Sequence, residues 1–335
     1  MKIAVCQERI EEWEKRFLRS RLKGHKLKFL SEEITAQNAS KVKDADVLAV
    51  FVYSQITKQV LGKLKNLKMI ATMSTGFDHI DLTECTKQNI LVCNVPTYGE
   101  NTVAEHAMAL MLAVSRRIVE GVMRTKQGIF DSEGLRGFDL KEKTLGVIGT
   151  GNIGTHVCQY GVAFGMKVIA NDKYPNKERA KEVGFTYVSK EKLFKSADVI
   201  SLHVPLLPAT RHMIDKKAIA KMKQGVVLIN TARGSLIETG DVLRGLKSGR
   251  IGWYAADVLE EECALRDELE VLHPQYQMKC DPQAMLEDHL LMQSERVLIT
   301  PHNAFNSVEA LKRILSTTVE NVRAFAKKMP VNVVQ

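Results

Sequence analysis

The sequence predicts an α/β protein of two Rossmann-like or flavodoxin-like parallel-sheet domains, joined by a hinge with a cleft between them. Three observations carry this. Residues 145–172 read as strand, glycine turn, helix and second strand ending in an acid. Short apolar runs alternate with helical stretches elsewhere, the pattern of a parallel sheet covered on both faces. One such α/β stretch precedes the glycine turn and a helical tail follows it, so the chain can leave its first domain and return.

In the central stretch, the apolar run Leu145–Ile148 leads into Gly149-Thr150-Gly151-Asn152-Ile153-Gly154, a G-x-G-x-x-G. Gly149 makes the tight turn, Gly151 lets backbone approach a pyrophosphate, and Gly154 lets helix and strand pack closely. Asn152 and Ile153 open the helix, whose free N–H groups and partial positive charge suit that pyrophosphate. Val168–Ala170 then leads to Asp172, about 20 residues past the glycines, where a carboxylate binds the ribose hydroxyls of an adenosine. A 2′-phosphate would be repelled there, so the pattern points to NAD over NADP. The motif alone could be a chance turn; both strands and the acid make it a dinucleotide site.

The first domain is built from residues 1–100. Lys2–Cys6 reads as a strand, and Ile10, Trp13 and Phe17 fall on one face of a helix. Lys28–Leu30, Val47–Val52, Met69–Ala71 and Ile90–Cys93 are further strands. Pro96-Thr97-Tyr98-Gly99 breaks the pattern. A long helix follows, capped by Asn101 or Thr102, with Thr102 and Glu105 fitting a capping box. From Val103 to Val114 it is apolar almost all round, which places it between domains or at a subunit contact.

Residues 101–300 form the nucleotide-binding domain. Its later strands are Val199–Val204, Val226–Asn230, Gly252–Val258 and Val297–Thr300, with Asp215 and Thr239 as helix caps. Residues 263–293 are charged and Met-rich and read as an insertion with some helix. The tail from Ser307 to Lys328 is helical, with Leu311, Ile314, Val319, Val322 and Phe325 apolar. Residues 301–335 therefore rejoin the first, substrate-binding domain.

Bulk properties narrow the classes. The 335 residues suffice for two cores, and 45% hydrophobic with 26% charged residues is ordinary for a soluble globular protein. No apolar run reaches the ~18 residues of a membrane span, and the N-terminus turns charged after Cys6, without a signal-peptide core. The six cysteines show no C-x-x-C pair and no Cys/His ligand spacing, so no structural zinc or other metal is expected. Cys6, Cys93 and Cys158 sit in or beside apolar runs as buried thiols, which fits a reducing, cytoplasmic setting. The net charge of +9 is scattered among acids, without a basic tail. That argues against nucleic acid and suits the attraction of small anions.

Three points past the glycine turn can do chemistry. Arg233 closes Asn230-Thr231-Ala232-Arg233 after an apolar strand, where ligands bind in open α/β sheets. A guanidinium there clamps a carboxylate in bidentate fashion; otherwise it is a surface arginine. Asp257 also closes a strand and opens a run of acids to Glu262, a pattern that is often only a solvated surface. His302 follows a strand and Pro301; its imidazole can pass a proton near neutrality, or be structural. Together they suggest redox chemistry at a carbinol, with nicotinamide carrying the hydride.

The chain resembles the D-isomer-specific 2-hydroxyacid dehydrogenases over nearly its full length. The matching stretches are Ser74-Thr75-Gly76 with Phe77–Asp81, Val95–Tyr98, Val103–His106, Leu145–Gly154, His203-Val204-Pro205, Asn230–Gly234, Asp257–Glu262 and Pro301-His302. The resemblance implies Arg233 as the carboxylate-binding and carbonyl-polarising residue, His302 as the acid/base and Glu262, not Glu260 or Glu261, as its partner. It implies backbone N–H groups of Thr75 and Gly76 on the substrate carboxylate. Asp257 would meet the nicotinamide carboxamide. His203, Val204 and Pro205 would line the cofactor site, with Thr231 and Ala232. Tyr53, Tyr98 and Phe305 look like the wall of a small pocket for pyruvate or a slightly larger 2-oxoacid. Thr75 stands where phosphite-oxidising relatives carry Lys, and Phe305 where corepressor relatives carry Trp, which disfavours both. Hydroxyisocaproate-type and glyoxylate-type reductases stay open, because Met73 and Asn303 depart from the lactate pattern. The family also implies a homodimer built around the nucleotide domain and the long helix.

Overall fold

The structure, a computed structural model, describes residues 1–260 and 282–334. It forms two compact units: Met1–Tyr98 with Asn306–Gln335, and Gly99–Phe305. His302 and Phe305 thus belong to the second unit.

The first unit begins with β1 (Lys2–Cys6), α1 (Glu12–Arg21), β2 (Lys26–Leu30), β3 (Val47–Val50), α2 (Lys58–Leu61), β4 (Met69–Thr72), α3 (Leu82–Lys87) and β5 (Leu91–Cys93). All strands pair in parallel, in the order β2-β1-β3-β4-β5 of a flavodoxin-like sheet. Every residue of β3 and β4 is buried, as strands covered on both faces must be. The expected stripe on α1 is displaced. Ile10 is buried ahead of the helix, Trp13 and Phe17 are half-buried, and the buried positions are Glu14 and Leu18. Glu14 sits inward with its carboxylate accepting the Glu11 N–H at 2.7 Å, half of a capping box, and Leu18 lies one turn on along the same face.

The second unit contains α4 (Glu100–Ser115), α5 (Ile118–Lys126), β6 (Thr144–Ile148), α6 (Asn152–Ala163), β7 (Lys167–Asn171), α7 (Lys177–Val183), β8 (Thr186–Tyr187) and α8 (Lys190–Ser196). It continues with β9 (Val199–Leu202), α9 (Lys216–Lys221), β10 (Val226–Asn230), α10 (Thr239–Lys247), β11 (Ile251–Ala256), α11 (Pro282–Met292) and β12 (Val297–Ile299). These strands form one parallel sheet in the order β12-β11-β10-β9-β6-β7-β8. The chain leaves β6 toward β7 on one side and returns to β9 on the other. That reversal is a topological switch point, where doubly wound sheets bind ligands. The short strand β8 is absent from the sequence reading.

Two expected caps are corrected. Helix α4 starts at Glu100 behind Gly99, and neither Asn101 nor Thr102 caps it; Asn101 bonds Glu105 one turn on, at 3.1 Å. Glu238, not Thr239, caps α10, accepting the Asp241 N–H at 2.9 Å. Asp215 does cap α9, accepting the Ala218 N–H at 2.8 Å. The apolar side of α4 packs with β6 and α6 in one core, so its burial arises inside this unit. Of the 263–293 stretch, residues 282–292 are helix α11; residues 261–281, with Glu262, Cys263 and Cys280, lie outside the described residues.

The chain returns to the first unit with α12 (Val308–Ala326), capped by the Ser307 hydroxyl on the Ala310 N–H at 3.1 Å. It packs on α1 and β4 through Ala310, Ile314, Leu315, Val319 and Val322. Among the described residues no helix is long and apolar enough to cross a membrane. Cys6, Cys85, Cys93 and Cys158 are buried free thiols, and burial pushes Cys6 and Cys158 up to about 12.

Candidate active site

The parallel sheet of the second unit delivers its candidate side chains to the carboxyl ends of neighbouring strands. His302 follows β12, Asp257 follows β11, Arg233 follows β10, His203 follows β9, Gly149 follows β6 and Asp172 follows β7. From β10 to β7 is three strand spacings, roughly 14 Å along the sheet edge.

Arg233 and His302 are tied together by hydrogen bonds. The Asn230 side chain donates to the Arg233 carbonyl at 2.9 Å and accepts the Ala232 N–H at 3.1 Å. The Asn230 carbonyl accepts the Asp257 N–H at 3.0 Å, and the Asp257 carbonyl accepts the His302 N–H at 2.9 Å. The Asp257 side chain, 1% exposed, then organises the histidine loop. Its Oδ1 accepts the Asn303 N–H at 2.7 Å and the Thr300 hydroxyl, and its Oδ2 accepts the Ala304 N–H at 2.7 Å. Imidazole Nε2 of His106 lies 2.9 Å from the Thr300 hydroxyl and 3.5 Å from Asp257. Those bonds hold His302 in the left-handed region at φ +50°, an uncommon place for a non-glycine residue. The Phe305 ring stands edge-on to His302, with centroids 6.5 Å apart.

The glycine turn fits a dinucleotide. Gly149 has φ +91°, and a Cβ there would meet the His203 carbonyl oxygen at 2.6 Å. A Cβ on Gly154 would lie 1.9 Å from the Gly149 carbonyl oxygen. Packing therefore requires both glycines. A Cβ on Gly151 would meet nothing within 4 Å, so the absent side chain leaves open space at the start of α6. There the N–H groups of Asn152, Ile153 and Gly154 have no acceptor within the helix, the setting in which helix N-termini accept anions such as a pyrophosphate.

Asp172 accepts the Thr150 N–H at 2.6 Å, the Thr150 hydroxyl at 3.0 Å and the Tyr174 N–H at 2.7 Å. Four lone-pair positions on a carboxylate leave room for a ribose hydroxyl. The Thr231 hydroxyl is buried and has no hydrogen-bond partner among the described residues, as suits a group awaiting a ligand. His203 binds the Ser201 hydroxyl at 2.8 Å; burial pushes its imidazole down to about 3, which keeps it neutral near pH 7. Val204 lies against Gly149, and the Pro205 carbonyl accepts the Thr210 hydroxyl at 2.6 Å.

The first unit gathers its own set. Tyr53, Thr75 with Gly76, and Tyr98 follow the neighbouring strands β3, β4 and β5. The acceptors of the 74–76 turn are occupied. Thr75 O accepts the Asn94 side chain at 2.8 Å, Gly76 O accepts the Ser74 hydroxyl at 2.6 Å, and Ser74 O accepts the Val95 N–H at 3.0 Å. The Thr75 hydroxyl donates to Val95 O at 2.8 Å. Tyr53 packs beside Phe51 at 5.6 Å, and the Tyr98 carbonyl accepts Arg313 Nε at 2.6 Å.

Several contributors carried no role in the sequence reading. Asn230, Thr150, His106 and Thr300 hold the assigned residues in place. Asn230 at a strand end and Thr150 within the glycine motif are the kinds of residue that bind nearby backbone. The partners of His106 are distant in sequence and carry no local signal.

Known proteins are similar to this chain over nearly its full length. The model of the D-isomer specific 2-hydroxyacid dehydrogenase NAD binding domain matches residues 108–304. A 2-hydroxyacid dehydrogenase homolog from Zymomonas mobilis is 37% identical over 317 residues, covering 92% of each chain. The D-lactate dehydrogenase of Escherichia coli is 35% identical over 334 residues, covering 98% of this chain and 97% of its own. The structure of the Aquifex aeolicus D-lactate dehydrogenase complexed with NAD and lactic acid superposes with a TM-score of 0.85 at 37% identity, over 98% of this chain and 96% of that one. With the glycine turn, Asp172, Arg233 and His302 in the matched region, the chain belongs to the D-isomer-specific 2-hydroxyacid dehydrogenases, NAD-dependent oxidoreductases of 2-hydroxy acids.

Proposed function

We propose that this enzyme is a D-lactate dehydrogenase that reduces pyruvate to D-lactate. The observation that carries the reading is the hydrogen-bonded line from the Arg233 backbone through Asn230 and Asp257 to the His302 backbone, which ties together the loops that carry the guanidinium and the imidazole, past the ends of β10 and β12 on either side of β11. Bound NADH supplies the hydride. Arg233 grips the substrate carboxylate and draws electron density toward the carbonyl oxygen, where such donors act on developing charge. His302 delivers its proton to that oxygen. Glu262 is its partner on the strength of the resemblance alone; a carboxylate there keeps the imidazole charged to higher pH. Glu262→Gln is expected to move the pH limb of kcat/KM for reduction downward.

Thr231, Ala232, Val204 and Pro205 serve the cofactor, with Asp257 near the carboxamide on the strength of the resemblance. Thr75 and Gly76 hold the carboxylate through backbone N–H groups, and Tyr53, Tyr98 and Phe305 bound the side-chain pocket. The E. coli and A. aeolicus relatives support lactate as the product. Kinetics with NADH across 2-oxoacids of rising side-chain length test this. Pyruvate is expected to give the highest kcat/KM; a maximum at a longer 2-oxoacid assigns a hydroxyisocaproate-type enzyme, and one at glyoxylate or hydroxypyruvate a reductase of that type.

The enzyme works as a cytoplasmic homodimer in this reading. Helix α5 has no buried residue, and it exposes Ile118, Val119, Val122 and Met123 on the nucleotide-binding unit, an apolar surface that a second copy would cover. Sedimentation as a monomer at micromolar concentration would contradict it.

A further inference from the structure

The turn that carries Arg233 is enclosed by two other segments of the same unit. On one side, the His212 N–H donates to the Ser235 carbonyl at 2.9 Å and the Ile214 N–H to the Leu236 carbonyl at 3.1 Å. On the other, Gly234 lies so close to the Leu259–Glu260 peptide that a Cβ would meet the Leu259 carbonyl oxygen at 1.9 Å. One side chain joins the two flanks across the turn. Glu260 Oε1 is bonded to His212 Nε2, and the Arg211 guanidinium lies 3.5 Å from the same oxygen. Glu260 Oε2 accepts the hydroxyl of Thr239, at the first turn of α10, at 3.1 Å.

The carboxylate is 7% exposed, a position that costs heavily unless the charge is paired and hydrogen-bonded. His212 reaches it from φ +50°, a conformation non-glycine residues adopt only against a preference. None of these groups follows directly from a strand end, and none has a step in the reduction above. Their arrangement is nonetheless closed around the residue that has one.

We propose that Glu260 and His212 are positioning residues for Arg233: their pair clasps residues 211–212 and 259–260 around Gly234 and fixes the turn from which the guanidinium meets the substrate carboxylate. The inference rests on the reading of Arg233 as the carboxylate-binding group. A turn loosened at Gly234 weakens grip on the 2-oxoacid, whereas Ala232 stays held by the Asn230 side chain at 3.1 Å and the glycine turn is untouched, so cofactor binding is expected to hold.

The test uses full-length Glu260→Gln, His212→Asn and the double variant, with Arg233→Gln as reference. Asparagine tolerates the left-handed conformation, so His212→Asn keeps the fold if Glu260→Gln does not. The readouts are kcat and KM for the best 2-oxoacid at saturating NADH, NADH Kd by fluorescence, and the melting temperature. Each single variant is expected to raise KM about tenfold with NADH Kd changed by less than about twofold, and the double variant to do no worse than the worse single, because members of one unit are not additive. If Arg233→Gln loses over about a hundredfold in kcat/KM while both clasp variants stay within about twofold of wild type, the clasp is overturned and the role of Arg233 stands. A raised NADH Kd matching the rise in KM also overturns it, since the damage is then general. An Arg233→Gln enzyme with wild-type KM removes the reading of Arg233 itself, and the clasp with it.

Discussion

Asp257 shows how much a single residue can decide. The sequence marks it as the acid at the end of a strand, and the resemblance gives it a contact to the nicotinamide carboxamide. Its burial and its bonds to Thr300, Asn303 and Ala304 are visible only in three dimensions, because those partners lie far along the chain. An amide replaces one acceptor oxygen by a donor that faces a backbone N–H. Asp257→Asn is therefore expected to cost about 2–3 kcal/mol of stability and to lower kcat through the histidine loop. Chemical denaturation with parallel kinetics checks this, and a fully stable, fully active variant would contradict it. His203 carries a pH signature. Its folded pKa lies below the unfolded value of ~6.5, so the unfolded chain takes up a proton first and stability falls as pH drops from ~6.5 toward 3. Between pH 7 and pH 5, His203→Gln is expected to remove up to about 2 kcal/mol of that loss, an upper figure because part of the residue meets solvent. Urea midpoints at the two pH values measure it; identical slopes would contradict it.

At the level of elements, legibility followed the apolar runs. Strands β1 and β10 lie where the sequence places them, and β6, β7 and β9 differ only at their ends, because buried parallel strands are continuous apolar runs. The two-residue β8 holds only Thr186 and Tyr187, too short for any period to show. Caps were less legible: α10 begins at Thr239 itself, so the extended residue before it, Glu238, takes the cap position, and the Thr239 hydroxyl donates instead to the distant Glu260. The glycine turn makes the sharpest expectation of this size. Gly154→Ala forces a Cβ onto the Gly149 carbonyl and is expected to destabilise by about 3 kcal/mol or more. Gly151→Ala meets no protein atom, so its melting temperature is expected to hold while NADH Kd rises about tenfold. Calorimetry and NADH titration separate the two; a Gly151→Ala enzyme that binds NADH normally would move the pyrophosphate elsewhere.

For the molecule as a whole, the two-sheet architecture was legible from alternation and from the order of the motifs, whereas strand order was not, since pairing across a sheet leaves no local trace. The same holds for the candidate site. Arg233 and His302 could be named from strand ends, but the line through Asn230 and Asp257 that joins them required the folded sheet. The most direct measurement is the reduction of pyruvate with NADH by wild type and His302→Ala, alongside NADH binding to each. Loss of the proton donor is expected to lower kcat by ~10²–10⁴ and leave NADH Kd within about twofold. A His302→Ala enzyme that keeps wild-type kcat, or that loses NADH binding in the same proportion, would contradict the account.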